Sequence, residues 1–295
     1  MTKTIVMTGA TAGLGRPAAD DLMRASDTRL IVGSRGASVA GAETLPLDLS
    51  DLTNVRHFAD TVLKTLGDEP IDVLVLNAGL NAPTDALRTV DGYERTFATN
   101  HLAHYLLLRL LSPRLADGAV VVITSSDTHD PTINRLAPPL HADALKLARP
   151  DLNGPGAAFI RGFRAYSTSK LCNILTARAF AELPETTARN IRVVTYNPGF
   201  TPGTQLTRSA PAAVRAIVPV VANLLRPFLS ISSVEQAGRE LANLALGETT
   251  PPPQRIYASL VGRDLTWPDP APMARRDDLM HALWRDSAGL VGLNP

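Results

Sequence analysis

Apolar residues along this chain come in short continuous runs rich in β-branched side chains: Thr4–Thr8, Arg29–Val32, Thr44–Leu47, Ile71–Leu76, Ala119–Thr124, Ile191–Tyr196 and Arg255–Leu260. Runs that do not alternate with polar residues predict strands covered on both faces. Between them the apolar positions recur at helical spacing, which predicts helices over Leu14–Ala25, Leu52–Leu66, Gly92–Leu111, Phe163–Leu183, Val234–Leu246 and Arg275–Ser287. Such an alternation predicts an α/β fold, a doubly wound and mostly parallel sheet of about seven strands with helices on both faces. No internal repeat and no Ser/Gly linker divides the rhythm, so one domain over 1–295 is expected.

Two stretches interrupt the rhythm. Asp127 to Arg161 carries Pro131, Pro138, Pro139, Pro150, Gly154 and Pro155 and is too long for a simple strand-to-helix connection. A substrate-side insertion is therefore expected near 127–161. A second is expected near 202–232, where the apolar segment Ala210–Leu229 reads either as a surface helix hairpin or as a lid over a substrate. Arg215, Pro219, Asn223, Arg226 and Pro227 break that segment too often for a membrane span of about 20 residues.

Composition narrows the partners. Lys and Arg number 29 against 28 Asp and Glu, a formal charge of +1, without the basic surplus that grips a phosphate backbone; nucleic acid is not expected as a partner. The single cysteine, Cys172, excludes an internal disulfide, and the apolar stretch Ile5–Met7 is too short for a signal core. A soluble cytoplasmic protein is expected. His101, His104, His129 and His141 stand in no tight cluster with carboxylates or thiol, so no metal site is expected.

The first strand runs into Thr8-Gly9-Ala10-Thr11-Ala12-Gly13-Leu14-Gly15, a glycine-rich turn opening a helix. In that context the turn lets a pyrophosphate reach backbone N–H groups at the positive helix end, so Gly9, Thr11, Ala12, Gly13, Leu14 and Gly15 are candidate dinucleotide contacts. The second strand ends in Ser34 and Arg35 instead of a carboxylate for a ribose 2′-hydroxyl. A guanidinium there suits a 2′-phosphate, so the cofactor expected is NADP(H). Asp48-Leu49, after the third strand, is a further candidate, Asp48 accepting from an adenine amino group or serving as a turn or cap residue.

Downstream, Tyr166-Ser167-Thr168-Ser169-Lys170 opens a long helix, and the four-residue step places phenol and ammonium on one face. A neighbouring cation lowers a phenol toward the range where it exchanges protons at neutral pH. Cys172, about 200° round the helix from Lys170, reads as a small core residue. Ser126, chosen over Ser125 for its spacing to His129, ends a strand at the carboxyl edge of the sheet, where doubly wound folds bind ligands. Asn77-Ala78-Gly79 closes another strand at that edge, and Asn100 sits inside a helical run that it can bend.

Thr8–Gly15, Asn77–Gly79, Asn100, Ser126, Tyr166 with Lys170, and Asn197-Pro198-Gly199, in that order, resemble the short-chain dehydrogenase/reductase superfamily, a Rossmann fold, over essentially the whole chain. The run Asn100–Leu107, the run Tyr166–Leu175 and the tail Ala282–Leu293 resemble the retinol dehydrogenase and protochlorophyllide reductase branch. The resemblance implies Tyr166 as acid/base, Lys170 on the nicotinamide ribose, Ser126 on the substrate oxygen, Asn100 on a relay water, Pro198 and Gly199 on the cofactor, and Thr204 at its carboxamide. It implies an oxidoreductase moving hydride between NADPH and a carbonyl or alcohol of a bulky, lipophilic small molecule. A light-dependent double-bond reductase of the protochlorophyllide type is the alternative, and a non-catalytic NADP(H) sensor a third. Relatives pair across subunits through the helices near Gly92–Leu111 and Phe163–Leu183, so a homodimer is one possible assembly and a monomer the other.

Overall fold

In the computed structural model, which describes residues 2–201 and 232–294, the apolar runs become β1 (Lys3–Thr8), β2 (Thr28–Ser34), β3 (Glu43–Pro46), β4 (Ile71–Leu76), β5 (Leu115–Thr124), β6 (Arg192–Asn197) and β7 (Tyr257–Val261). They pair in parallel in the order β3-β2-β1-β4-β5-β6-β7. An eighth strand, β8 (Asp264–Thr266), adds an antiparallel edge that the sequence pattern did not predict. Three residues after a turn at Gly262, which has φ +63°, leave no periodicity to read.

Strand alternation distributes one sheet over two cores. Val6, Ile31, Leu74, Val121, Ile123 and Val193 face one apolar cluster, while Ile5, Met7, Val32, Val73, Val122 and Val194 face the other. Successive side chains point to opposite faces, so a strand buried on both sides must be apolar throughout. The first cluster is closed by α2 (Leu52–Leu66), α4 (Ala103–Leu111) and α6 (Ala158–Glu182), the second by α1 (Gly15–Arg24) and α8 (Val234–Leu246). The remaining helices are α3 (Arg95–Phe97), α5 (Ala144–Ala148), α7 (Pro184–Ala188) and α9 (Asp277–Leu290).

The helix expected over Gly92–Leu111 starts at Arg95, where the Glu94 carboxylate accepts from the N–H groups of Thr96 at 2.9 Å and Phe97 at 2.6 Å. A π turn over Ala98–Leu102 then separates α3 from α4. Helix α6 starts upstream of the expected Phe163, so the end of the 127–161 insertion is helical, and α5 lies within it. The segment 202–232, apart from Ser232, falls outside the described residues, and with it Thr204 and the choice between hairpin and lid.

Helix α9 covers the helices that the resemblance would pair across subunits. Tyr105 on α4 donates its hydroxyl to the Trp284 carbonyl at 3.0 Å, and the two rings meet edge to face at 4.9 Å. On α6, Arg178 forms a 2.6 Å ion pair with Asp277. Among the described residues no helix is long and apolar enough to cross a membrane.

Candidate active site

The strand order reverses direction of winding between β1 and β4, and there, at the carboxyl ends, lies a cavity of about 510 Å³. An open α/β sheet leaves its crevice at this point because the connecting helices depart to opposite faces. The sequence candidates converge on it. Gly9, Thr11, Ala12, Gly13, Leu14 and Gly15 form one wall. Ser34, Arg35, Asp48 and Leu49 form the far end, Asn77, Ala78 and Gly79 the floor, and Tyr166, Lys170 and Pro198 the near end.

The glycines are required by close approach. Gly9 has φ +71°, and a Cβ on it would stand 2.7 Å from the Ala78 backbone; one on Gly15 would stand 1.8 Å from the Gly9 carbonyl oxygen. Asn77 Nδ2 donates to that same carbonyl at 3.1 Å, clamping the turn to β4. With no side chain on its glycines, the turn and the start of α1 at Gly15 lie open to the cavity, the close backbone approach a pyrophosphate needs. The residues present therefore fit a dinucleotide.

At the far end, burial works to raise Asp48, but hydrogen bonds from Ser50 and the Arg35 and Arg95 charges together outweigh it and hold this carboxyl below its ordinary value. Ser50 donates to Oδ1 through its N–H at 2.9 Å and its hydroxyl at 2.7 Å. Asp48 is thus the turn residue that one of its two readings foresaw, while Asp51 caps α2 through Thr53 and Asn54. Arg35 is exposed and has no salt-bridge partner among the described residues. Arg95, which the sequence reading did not single out, joins the wall from α3. It lies sixty positions from Arg35, and nothing local marks it.

At the near end, Lys170 and Tyr166 are buried on one face of α6, the Lys170 Nζ 5.7 Å from the centre of the phenol ring. The ammonium donates to the Thr124 carbonyl at 3.1 Å, and Asn173 reaches the same oxygen at 3.0 Å. Ser126 lies beside the Tyr166 phenol, whereas the rival Ser125 donates to the Lys170 carbonyl at 2.9 Å and serves to seat α6 on β5. The spacing to His129 has a physical basis: His129 sits with Nδ1 2.6 Å from the Ser126 carbonyl and accepts from the Ala271 N–H on Nε2. Because Nε2 is the acceptor, Nδ1 carries the proton and donates.

The expectation that Lys170 lowers the Tyr166 phenol is not met in this structure. Burial pushes Tyr166 up, Ser126 opposes the shift and the nearby Asp127 adds to it. Taking a phenolate out of water costs more than the polar groups around it return. Asp127 is a further residue the sequence reading passed over. The Ser126 hydroxyl donates to its Oδ1 at 3.3 Å. Burial raises this carboxyl also.

Asn100 occupies the π turn, and all of its side-chain polar atoms are engaged. Oδ1 accepts from the Leu80 N–H at 2.8 Å, and Nδ2 donates to the Leu80 carbonyl at 2.8 Å and to Ser169 at 3.0 Å. Its main-chain carbonyl faces His104 Nδ1 at 3.1 Å. These contacts make Asn100 a clamp on the loop that follows β4. The tautomer of His104 follows from Thr8. That hydroxyl already accepts from the Asn77 and Ala78 N–H groups at 3.0 and 3.1 Å, so its one proton goes to His104 Nε2 at 3.0 Å. Burial lowers His104 to about 4, keeping it neutral with its one ring proton on Nδ1, donated to the Asn100 carbonyl. Gly199 stands outside the cavity wall, its N–H donated to Asn197 Oδ1 at 3.0 Å. Cys172 is fully buried in the core, with its thiol pushed up by burial.

Comparison with known proteins agrees with this architecture. The family model described as short chain dehydrogenase matches residues 3–137, from β1 into the insertion. Protochlorophyllide reductase A of Hordeum vulgare is 32% identical over 203 residues, covering 60% of this chain and 52% of that protein. The chain thus spans about half the length of the first curated relatives it matches. A Streptomyces protein with the provisional name daunorubicin C-13 ketoreductase DnrU is 34% identical over 210 residues, 67% of this chain and 65% of that one. A crystal structure of a Mycobacterium Paratuberculosis protein superposes with a TM-score of 0.71 at 27% identity, covering 99% of this chain and 94% of that chain. Fold, glycine-rich turn and the Ser–Tyr–Lys arrangement define a class, the short-chain dehydrogenases. The chain belongs to the short-chain dehydrogenase/reductase superfamily.

Proposed function

We propose that the chain is an NADP(H)-dependent oxidoreductase that interconverts a carbonyl and an alcohol on a bulky lipophilic substrate. One observation carries this reading: Ser126 and Tyr166 stand side by side with the Lys170 ammonium at one end of a cavity whose other end holds Arg35, a guanidinium with no salt-bridge partner among the described residues. Gly9–Gly15 would hold the pyrophosphate, Ser34 and Arg35 the 2′-phosphate, and Lys170 the nicotinamide ribose. The bound cofactor supplies hydride. Burial keeps the Tyr166 phenol protonated, so it enters the reductive direction holding the proton that a carbonyl oxygen takes up as it gathers charge. Ser126, now donating to Asp127, turns its hydroxyl to the same oxygen, and Lys170 stabilises the phenolate left behind. The apolar wall of Leu80, Ala82, Pro83 and Leu87 supports a lipophilic substrate, as does the name of the Streptomyces relative.

The likeness to protochlorophyllide reductase supports a second reading, reduction of a conjugated double bond under light. Purified protein is incubated with NADPH and either a panel of polycyclic ketones or protochlorophyllide, in darkness and under illumination. Turnover of ketones in darkness is expected. Turnover confined to the pigment under light overturns the first reading in favour of the second, and no turnover of either class favours the sensor.

A further inference from the structure

A second cavity, of about 420 Å³, opens on the other side of the loop that follows β4, between α6 and the 127–161 insertion. Arg161, Arg164, Ala165 and Thr168 of α6 line it, a helical face distinct from the one carrying Tyr166 and Lys170. Its size lies within the range of small-molecule sites, and Phe97, Leu140, Leu147, Pro150 and Pro155 supply an apolar body.

The polar groups in this wall are unevenly satisfied. Each carboxylate is used: Asp85 pairs with Arg161 at 3.1 Å, Glu94 accepts two N–H groups at the start of α3, and Asp151 accepts from the Asn153 N–H at 2.9 Å. Lys146 pairs with Asp143 at 3.2 Å. Arg149 and Arg164 have no carboxylate partner among the described residues. Arg149 lies over the Tyr93 ring, 5.1 Å from its centre. Arg164 donates Nη1 to the Pro155 carbonyl at 3.1 Å, while its Nε is buried and has no hydrogen-bond partner among the described residues. A buried N–H left without an acceptor costs roughly 1–3 kcal/mol, more when the group is charged. An acceptor brought by a ligand removes that cost.

We propose that this second cavity binds an amphipathic carboxylate, its head on Arg164 and Arg149 and its apolar body against Phe97, Leu147 and the prolines. A carboxylate accepts in parallel from a guanidinium fork, so Nε and the free Nη donors of Arg164 are served together. The site is separate from the first cavity and does not depend on the activity assigned there.

The test is equilibrium dialysis of decanoate against the purified chain, with 1-decanol as the uncharged control. One saturable decanoate site is expected, weakened about tenfold or more by Arg164→Gln and by Arg149→Gln, and unchanged by Arg35→Gln in the first cavity. Decanol should bind about tenfold more weakly than decanoate or worse. Circular dichroism and the melting temperature establish that each variant folds; if Arg164→Gln does not, Arg149→Gln decides. Absence of a saturable site, undiminished binding in the folded arginine variant, equal binding of decanol, or loss of binding in Arg35→Gln each overturns the proposal.

Discussion

The Lys170 ammonium donates to the Thr124 carbonyl at 3.1 Å, so the last residue of β5 holds the cation of the active site. Burial lowers this lysine from 10.5 to about 8. The charged form, present below that value and lost above it, is the one that attracts an anionic ligand. NADPH affinity should therefore hold steady below about pH 8 and fall about threefold or more per pH unit above it. Lys170→Met should bind weakly at every pH with no such slope. Calorimetric titration across the range reads this directly, and an identical slope in the variant would place the titrating group elsewhere.

Tyr166→Phe keeps the ring, including its stacking on Phe163 at 6.2 Å between centres, and removes only the proton-bearing oxygen. Turnover should fall about 10²-fold or more, with NADPH affinity within a few-fold of wild type. Single-turnover kinetics on a ketone substrate separate the chemical step from binding. Near-normal chemistry in the variant would mean that the proton comes from another group.

Arg35, exposed and without an ionic partner among the described residues, is free to meet a 2′-phosphate. The protein should prefer NADPH over NADH by about tenfold or more, equivalent to about 1.4 kcal/mol, and Arg35→Ala should erase most of that gap. Equal affinities in the wild type would remove Arg35 from the site, leaving Arg95 as the cation to examine.

Glu94 titrates in the opposite sense to an ordinary surface carboxylate. Burial raises it from 4.5 to about 7, against hydrogen bonds from Phe97 and Thr96. The folded chain then holds this proton more tightly than the unfolded one. The contribution to stability is complete below 4.5 and is lost as pH rises through 7, about 3 kcal/mol in all. Urea unfolding of wild type and Glu94→Gln at steps across this interval should give curves whose difference has that slope. Parallel curves would show that Glu94 is ionised throughout.

Trp284 wedges α9 onto α4, edge-on to Tyr105 and 5.2 Å from the Arg109 guanidinium. Trp284→Ala should cost about 2 kcal/mol, read as a lowered denaturant midpoint. Because α9 already occupies the face that would join two subunits, the wild type should sediment as a monomer. A sedimentation coefficient that rises with concentration would show pairing through another surface.

The chain's own pattern determined the sheet and its position in the fold. Continuous runs such as Ile71–Leu76 have to be strands buried on both sides, because alternate residues point to opposite helical layers and both layers exclude water. The glycine-rich turn and the Tyr166–Lys170 step were equally legible, since each is a local constraint: a turn that a Cβ would block and a four-residue spacing that one helix face imposes. Other features arise only when distant segments meet. Arg95 reaches the cavity from a helix that no pattern connects to Arg35, and Asp127 becomes significant because α6 places a phenol beside its neighbour Ser126. Tyr166 is raised instead of lowered because packing buries its phenol and sets it near Asp127, thirty-nine positions away. The same holds for Asn100, whose polar atoms are claimed by Leu80, Ser169 and His104 once the π turn folds against them. Sequence spacing reports which groups share an element; burial and the competition among partners, which set a group's charge and its free hydrogen-bonding capacity, are properties of the packed chain.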